Sequence, residues 1–147
     1  AYFALMPMDM AETAKRMLHL LSHQEEEAPV PLEVKITDIL RQIGVPAHIK
    51  GYHYLRASIR MAVEDPGIIN AVTKQLYPGV AKMFSTTSSR VERAIRHAIE
   101  VAWDRGDVDV LNSYFGYTIH NTRGKPTNSE FIAMISDRLR LEMKAAV

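Results

Sequence analysis

The chain has 147 residues, no cysteine, 47% hydrophobic residues and a formal net charge of +1. That length holds one full domain with an appendage, and the lack of thiols excludes disulfides, thiolate metal sites and cysteine nucleophiles, as suits a reducing cytoplasm. No apolar run approaches the ~20 residues that span a bilayer and no signal-peptide pattern opens the sequence, so a cytoplasmic protein with no membrane partner is expected. The charge is unevenly spread: residues 1–32 hold two basic against five acidic side chains, and the remainder sixteen against twelve. The larger part is therefore mildly basic, which permits a polyanionic partner without requiring one.

Residues 1–5, AYFAL, read as a short buried strand left by the turn MPMD. Asp9 is the expected cap of a helix over residues 10–23, with Ala14, Met17, Leu18 and Leu21 as its apolar stripe. One strand and one helix bury too little surface to fold alone, so residues 1–24 are expected to be the end of a larger domain. His19 and His23, four apart on this helix and close to Glu25, Glu26 and Glu27, form a weak candidate metal pair. Two exposed imidazoles are more often an adventitious site, so no metal or other cofactor is expected. Residues 25–32 combine the glutamate run with Pro29 and Pro31 and are expected to be a linker.

Residues 33–147 are expected to be all-α. Ile36, Ile39, Leu40 and Ile43 lie on one side of a helix over 34–43 that Gly44 ends. Pro46 opens a second over 48–63, with Ile49, Tyr52, Leu55, Ile59 and Val63 at helical spacing before Asp65-Pro66-Gly67. A third helical pattern covers 68–77, and Pro78 suits the first turn of the helix that follows.

The chain is organised around residues 80–104, two helices at a tight angle. In the second, Val91, Ala94, Ile95, Ala98, Ile99 and Ala102 form one apolar stripe, and Glu92, Arg93, Arg96 and Glu100 face the other way. Ser89 and Glu92 match a capping box, which would open the helix there and leave Arg90 in its first turn, where free amides attract phosphate. Ala81 supplies a small residue for the helix crossing, with Val80, Phe84, Val91 and Ile95 packing around it. Ser85 stands where the turn needs a positive φ, a conformation glycine or asparagine adopts more easily. This is helix-turn-helix spacing with the recognition helix second. Arg90, Arg93 and Arg96 have the fork geometry for guanine O6 and N7, and Glu92 can accept from cytosine N4. Thr86, Thr87, Ser88 and Ser89 are expected near phosphates, with Lys82 and Lys125 as backbone contacts. An ordinary packed pair of amphipathic helices shares the pattern.

Beyond it, Arg105-Gly106 ends the recognition helix, residues 108–115 form a short helix closed by Gly116, and 117–125 are irregular. Thr127 and Glu130 form a second capping box, opening a last helix to about residue 145 with Phe131, Ile135 and Leu139 inward. His97 and His120 read as surface or satisfied histidines, and His48 and His53, on the second helix, as exposed residues or phosphate contacts with neither favoured. No GxxxxGK[ST], HExxH or GxSxG motif appears, so an enzyme is not expected. The alternative to a DNA reader is a helical interaction module whose arginine stripe binds an acidic protein.

Three stretches, IGVPAHIKGYHYLR (residues 43–56), SRVERAIRHAIEVAW (89–103) and KPTNSEFIAM (125–134), closely resemble the effector domain of the stage-zero sporulation protein A family, the sporulation response regulators of endospore-forming Firmicutes. The resemblance covers nearly all of residues 35–145. It implies an all-helical bundle whose helix-turn-helix reads a short box in double-stranded DNA at sporulation promoters, activating some and repressing others. It places base reading on Arg90, Glu92 and Arg93, with Arg96 near the backbone or a base edge. It also implies contact with the housekeeping sigma factor of RNA polymerase through residues 106–119, at Val110, Asn112, Tyr114 and Thr118, while Leu111 and Phe115 serve the core. Residues 1–24 are similar to the last strand and helix of the family's receiver domain, except that Met6 precedes Pro7 where receivers carry lysine. Receiver-driven dimerisation in the family implies tandem boxes and a homodimer on DNA; with only a receiver remnant in this sequence, a monomer and a dimer exchanging the helix of residues 10–23 both stay open.

Overall fold

The computed structural model describes residues 30–116 and 125–145. The strand and helix expected in residues 1–24, with His19 and His23, lie outside the described residues, as do Thr118 and His120. Every element among the described residues is helical, as the spacing predicts, and no helix there is long and apolar enough to cross a membrane.

Helix α1 (Leu32–Ile43) buries Ile36, Ile39, Leu40 and Ile43 at the spacing of a single face. Gly44 ends it at φ +107°, with its amide on the Leu40 carbonyl, a conformation that a side chain would strain. Helix α2 (Lys50–Glu64) starts two residues later than the pattern suggests and is the centre of the bundle. It buries Tyr52, Tyr54, Leu55, Ile59, Ala62 and Val63 and packs against the first helix, the helix of residues 88–105 and the last helix.

The single regular helix expected over 68–77 does not form. Pro66–Ala71 make a tight 3-10 turn, Ala71 leaves helical geometry at φ −136°, and Val72–Leu76 follow as a wide π turn. Ile68, Val72 and Leu76 still reach the core, so the burial that created the apolar pattern is met by irregular backbone. Helix α3 (Tyr77–Met83) then carries Pro78 in its first turn, where the missing N–H costs nothing.

Helix α4 (Ser88–Arg105) ends at Gly106, and Asp107 caps helix α5 (Val108–Phe115) by accepting from the amides of Asp109 at 2.8 Å and Val110 at 3.4 Å. Helix α6 (Asn128–Ala145) opens on the reciprocal capping box legible in the sequence. The Thr127 amide donates to Glu130 Oε1 at 2.9 Å, and the Glu130 amide donates to Thr127 Oγ1 at 3.1 Å. Phe131, Ile132, Ile135 and Leu139 are fully buried along it. Phe131 stacks on Phe115 of α5, and Trp103 of α4 meets Phe115 edge-on, so one aromatic cluster locks three helices together.

Helices α2 and α4 approach closely at Gly51. A β-carbon on Gly51 would collide with the Ala94 carbonyl oxygen and stand 2.7 Å from Ala98 Cβ. Those neighbours are backbone and a methyl group on a packed helix, so neither can move aside. Gly51→Ala should therefore lower unfolding free energy by at least ~2 kcal/mol in urea titration, and an unchanged midpoint would show that the two helices separate cheaply. Ser58 of α2 is fully buried, and its hydroxyl has no hydrogen-bond partner among the described residues. Because an unpaired buried hydroxyl keeps its desolvation cost, Ser58→Ala should leave stability unchanged or raise it by ~1 kcal/mol in the same titration, and a loss would reveal a hidden partner.

Candidate nucleic-acid interface

The turn between α3 and α4 is set by three backbone bonds. The Phe84 amide donates to Val80 O, the Ser85 amide to Lys82 O, and the Thr86 amide back to Ala81 O at 2.9 Å. The last two are the paired bonds of a Schellman helix end, which demands a left-handed residue at Ser85. Ser85 has φ +54°, as its place in the turn predicts. This non-glycine residue pays a steric cost at the point that fixes the angle between the two helices.

The predicted cap of the recognition helix is two residues off. Thr87, extended at φ −113°, is the N-cap, and its Oγ1 accepts from the Arg90 amide at 3.2 Å. Ser89 already lies inside the first turn and cannot form the box with Glu92. The Glu92 carboxylate instead pairs with Arg96 one turn on. Arg90 is consequently the third residue of the helix, still within the turn where amides face outward.

The buried side of α4 is Val91, Ile95, Ala98, Ile99 and Ala102, with Ala94 half-buried at its edge. Arg90, Arg93 and Arg96 are all exposed, as are Thr87, Ser89 and Lys82, whereas Thr86, Ser88, Glu92 and Lys125 are half-buried. Val80 and Ala81 of α3 are buried in the crossing as expected. Phe84 is not: it follows the last turn of α3, stays 42% exposed, and rests its ring edge-on against Tyr54.

The candidate residues separate onto two flanks. Arg90 and Arg93 border a shallow groove with Thr86 and His97, closed on its far side by Lys50 and Tyr54 from the start of α2. Arg96 and Glu92 look the other way, toward Glu100, Lys125 and the first turn of α6. Lys125 Nζ stands 3.9 Å from Glu100, so that flank is an ion-paired wall, while the Arg90 and Arg93 flank gathers positive charge. Lys50 and Tyr54 are the members that sequence reading misses. Their signal was Gly51 between them, the residue whose bare Cα lets this part of α2 lie against α4. His97 was read as an ordinary surface histidine and is exposed, but it borders the same groove as the two arginines.

The family model described as sporulation initiation factor Spo0A C terminal matches residues 36–139. The chain belongs to this family. The Spo0A C-terminal domain is the DNA-binding output domain of a sporulation response regulator, and it is not a known enzyme class. Membership therefore favours DNA over the acidic protein partner that the arginine stripe alone left open.

Behind the Arg96 flank lies a buried polar link in this Spo0A-family domain. Asn128 Nδ2 donates to Tyr77 Oη at 3.0 Å and to the Glu92 carbonyl at 3.1 Å. Burial pushes the Tyr77 phenol above its ordinary pKa, and the Asn128 bond opposes that rise. Tyr114 is likewise pushed up by burial, opposed by the nearby Arg138. In both cases folding favours the neutral phenol. Their contribution to stability is thus fully present below about pH 10 and is lost as pH rises through the raised folded values. Thermal melts from about pH 8 to pH 11 should show stability falling only above pH 10, with Tyr77→Phe flattening part of that alkaline decline. A decline of equal steepness in the phenylalanine variant would mean that Tyr77 is not held neutral by the fold.

Proposed function

We propose that this chain is a sequence-specific transcription regulator that reads a short DNA box in sporulation promoters, activating some and repressing others. The observation that carries this reading is that Arg90 and Arg93 stand exposed, one turn apart, on a helix whose opposite side is fully buried. Placed in the major groove, these two arginines reach guanine edges, the commonest specific contact in that groove. Glu92 and Arg96 act as a second pair at the adjoining edge. The Glu92 carboxylate meets a cytosine amino group only by loosening its bond to Arg96, and such i,i+4 pairs are worth a few tenths of a kcal/mol, less than a base contact returns.

Thr86, Thr87, Ser88 and Ser89 lie at the amino end of the recognition helix, where exposed amides and hydroxyls suit a phosphate. Lys82 and Lys125 act as backbone contacts. The box is read in tandem by two copies in the cytoplasm.

The sigma-factor surface is the outer face of α5. Val108, Asp109 and Asn112 are exposed there and Val110 is half-buried, while Leu111 and Phe115 face the core. Tyr114 contributes its ring more than its hydroxyl. The hydroxyl donates to Gln42 Oε1 at 2.9 Å and the ring lies under the Arg138 guanidinium at 4.2 Å, an arrangement that holds α5 between α1 and α6. Thr118 lies outside the described residues.

Labelled duplexes selected from a random pool test the reading face. Arg90→Ala or Arg93→Ala should cost ~1–3 kcal/mol on the selected box and relax preference at one base each. Lys82→Ala or Lys125→Ala should weaken all duplexes alike and lower the salt slope by about 1. Wild-type selectivity in both arginine variants would move the reading face elsewhere. Asn112→Ala should abolish activation at sigma-dependent promoters while leaving duplex affinity unchanged, and equal activation by the variant would remove α5 from the polymerase contact.

A further inference from the structure

The recognition helix is held mainly by apolar contacts, which resist separation but are non-directional and tolerate rotation about the helix axis. A roll of about 10° moves a side-chain atom ~6 Å from the axis by about 1 Å, enough to spoil a bidentate bond to a base. Something directional must fix that rotation if Arg90 and Arg93 are to arrive in register.

We infer that Asn128 is a positioning residue for base reading, using one buried carboxamide to set the roll of the recognition helix relative to the last helix of the bundle. Asn128 is 9% exposed. Its two amino hydrogens are both used, on Tyr77 Oη in the first residue of α3 and on the Glu92 carbonyl in the second turn of α4. Its own place is fixed by the Thr127–Glu130 capping box, which holds the first turn of α6 from both sides. The chain of restraint runs from the Phe131, Ile135 and Leu139 anchor of α6 through Asn128 to the backbone of α4 at Glu92, which lies between Arg90 and Arg93 in the chain. Asn128 is buried and is not among the residues that border the Arg90 and Arg93 groove, so it acts on those arginines through the helix that carries them.

This inference rests on the reading face proposed above, and its test separates the two. With the full chain, binding is measured on the selected box, on boxes changed at one base, and on a random duplex, alongside urea titration of each variant. Asn128→Asp keeps the shape but replaces the amino donor with a carboxylate oxygen that cannot donate to the Glu92 carbonyl. It should cut discrimination between selected and single-base-changed boxes by roughly tenfold, the scale of a loosened bidentate contact, with random-duplex affinity retained. Asn128→Ala should do the same. Tyr77→Phe, which leaves the bond to Glu92 in place, should keep most of the discrimination. In an Arg93→Ala background, adding Asn128→Ala should cost little more at the base that Arg93 reads, because the two act through one contact.

Full discrimination by a folded Asn128→Asp or Asn128→Ala protein overturns the inference. So does a loss that is uniform across all duplexes and equal to the unfolded fraction, which is the mark of a merely structural residue. If neither Asn128 variant folds, Thr127→Ala decides in their place by loosening the first turn that holds Asn128: loss of discrimination in a folded Thr127→Ala protein supports the restraint, and full discrimination overturns it. Should Arg90→Ala and Arg93→Ala themselves leave discrimination intact, it is the reading face that fails, and the inference fails with it.

Discussion

The absence of one β-carbon sets the geometry on which the rest depends. At Gly51 the backbone of α2 comes so near α4 that a methyl group would strike the Ala94 carbonyl and the Ala98 side chain. This close crossing seats the recognition helix deep in the bundle along Val91, Ile95, Ala98, Ile99 and Ala102 and turns its other side outward. It also carries Lys50 and Tyr54, the neighbours of Gly51, to the edge of the arginine groove. A larger residue at 51 would strain this crossing and disturb what both helices present, because close-packed interiors transmit strain.

Around that crossing, two polar devices refine what packing cannot specify. The Schellman end at Ser85 fixes the angle between α3 and α4 at the cost of a left-handed serine. Asn128 fixes the polar contact between α6, α3 and α4 from the opposite flank. Both are directional bonds at positions where apolar contact alone would leave a soft degree of freedom. The aromatic cluster of Trp103, Phe115 and Phe131 then ties the far end of α4 to α5 and α6, so the surface assigned to DNA and the surface assigned to polymerase share one rigid core.

What could be read from the sequence was the local part. The stripe from Val91 to Ala102 follows from helical period, the Thr127–Glu130 box from cap chemistry, and the strained Ser85 from the need of a tight turn for positive φ. The cap of α4 was misplaced because Thr87, Ser88 and Ser89 all have capping side chains, and Glu92 sits at the right spacing only for the last. The choice fell to Ser85, whose left-handed turn leaves Thr87 extended with its hydroxyl on the Arg90 amide. Phe84 looked like a packing residue because a helix of one more turn would bury it. The contacts at Gly51 and Asn128 join residues more than thirty apart in sequence. Periodicity reports which side of a helix is apolar and cannot report which distant backbone will lie against it, so Gly51 read only as part of a helix and Asn128 only as part of a cap.

The contact that matters most for the proposed reading is between arginines on a buried-backed helix and guanine edges in the major groove. Methylation interference on the selected duplex addresses that contact atom by atom, since a methyl group at guanine N7 blocks an arginine fork without touching the phosphates or the minor groove. Strong interference is expected at one or two guanines of each box, lost at one of them when Arg93 is replaced by alanine. Interference confined to adenine N3 in the minor groove, or none at any guanine while binding stays sequence-specific, would contradict that reading.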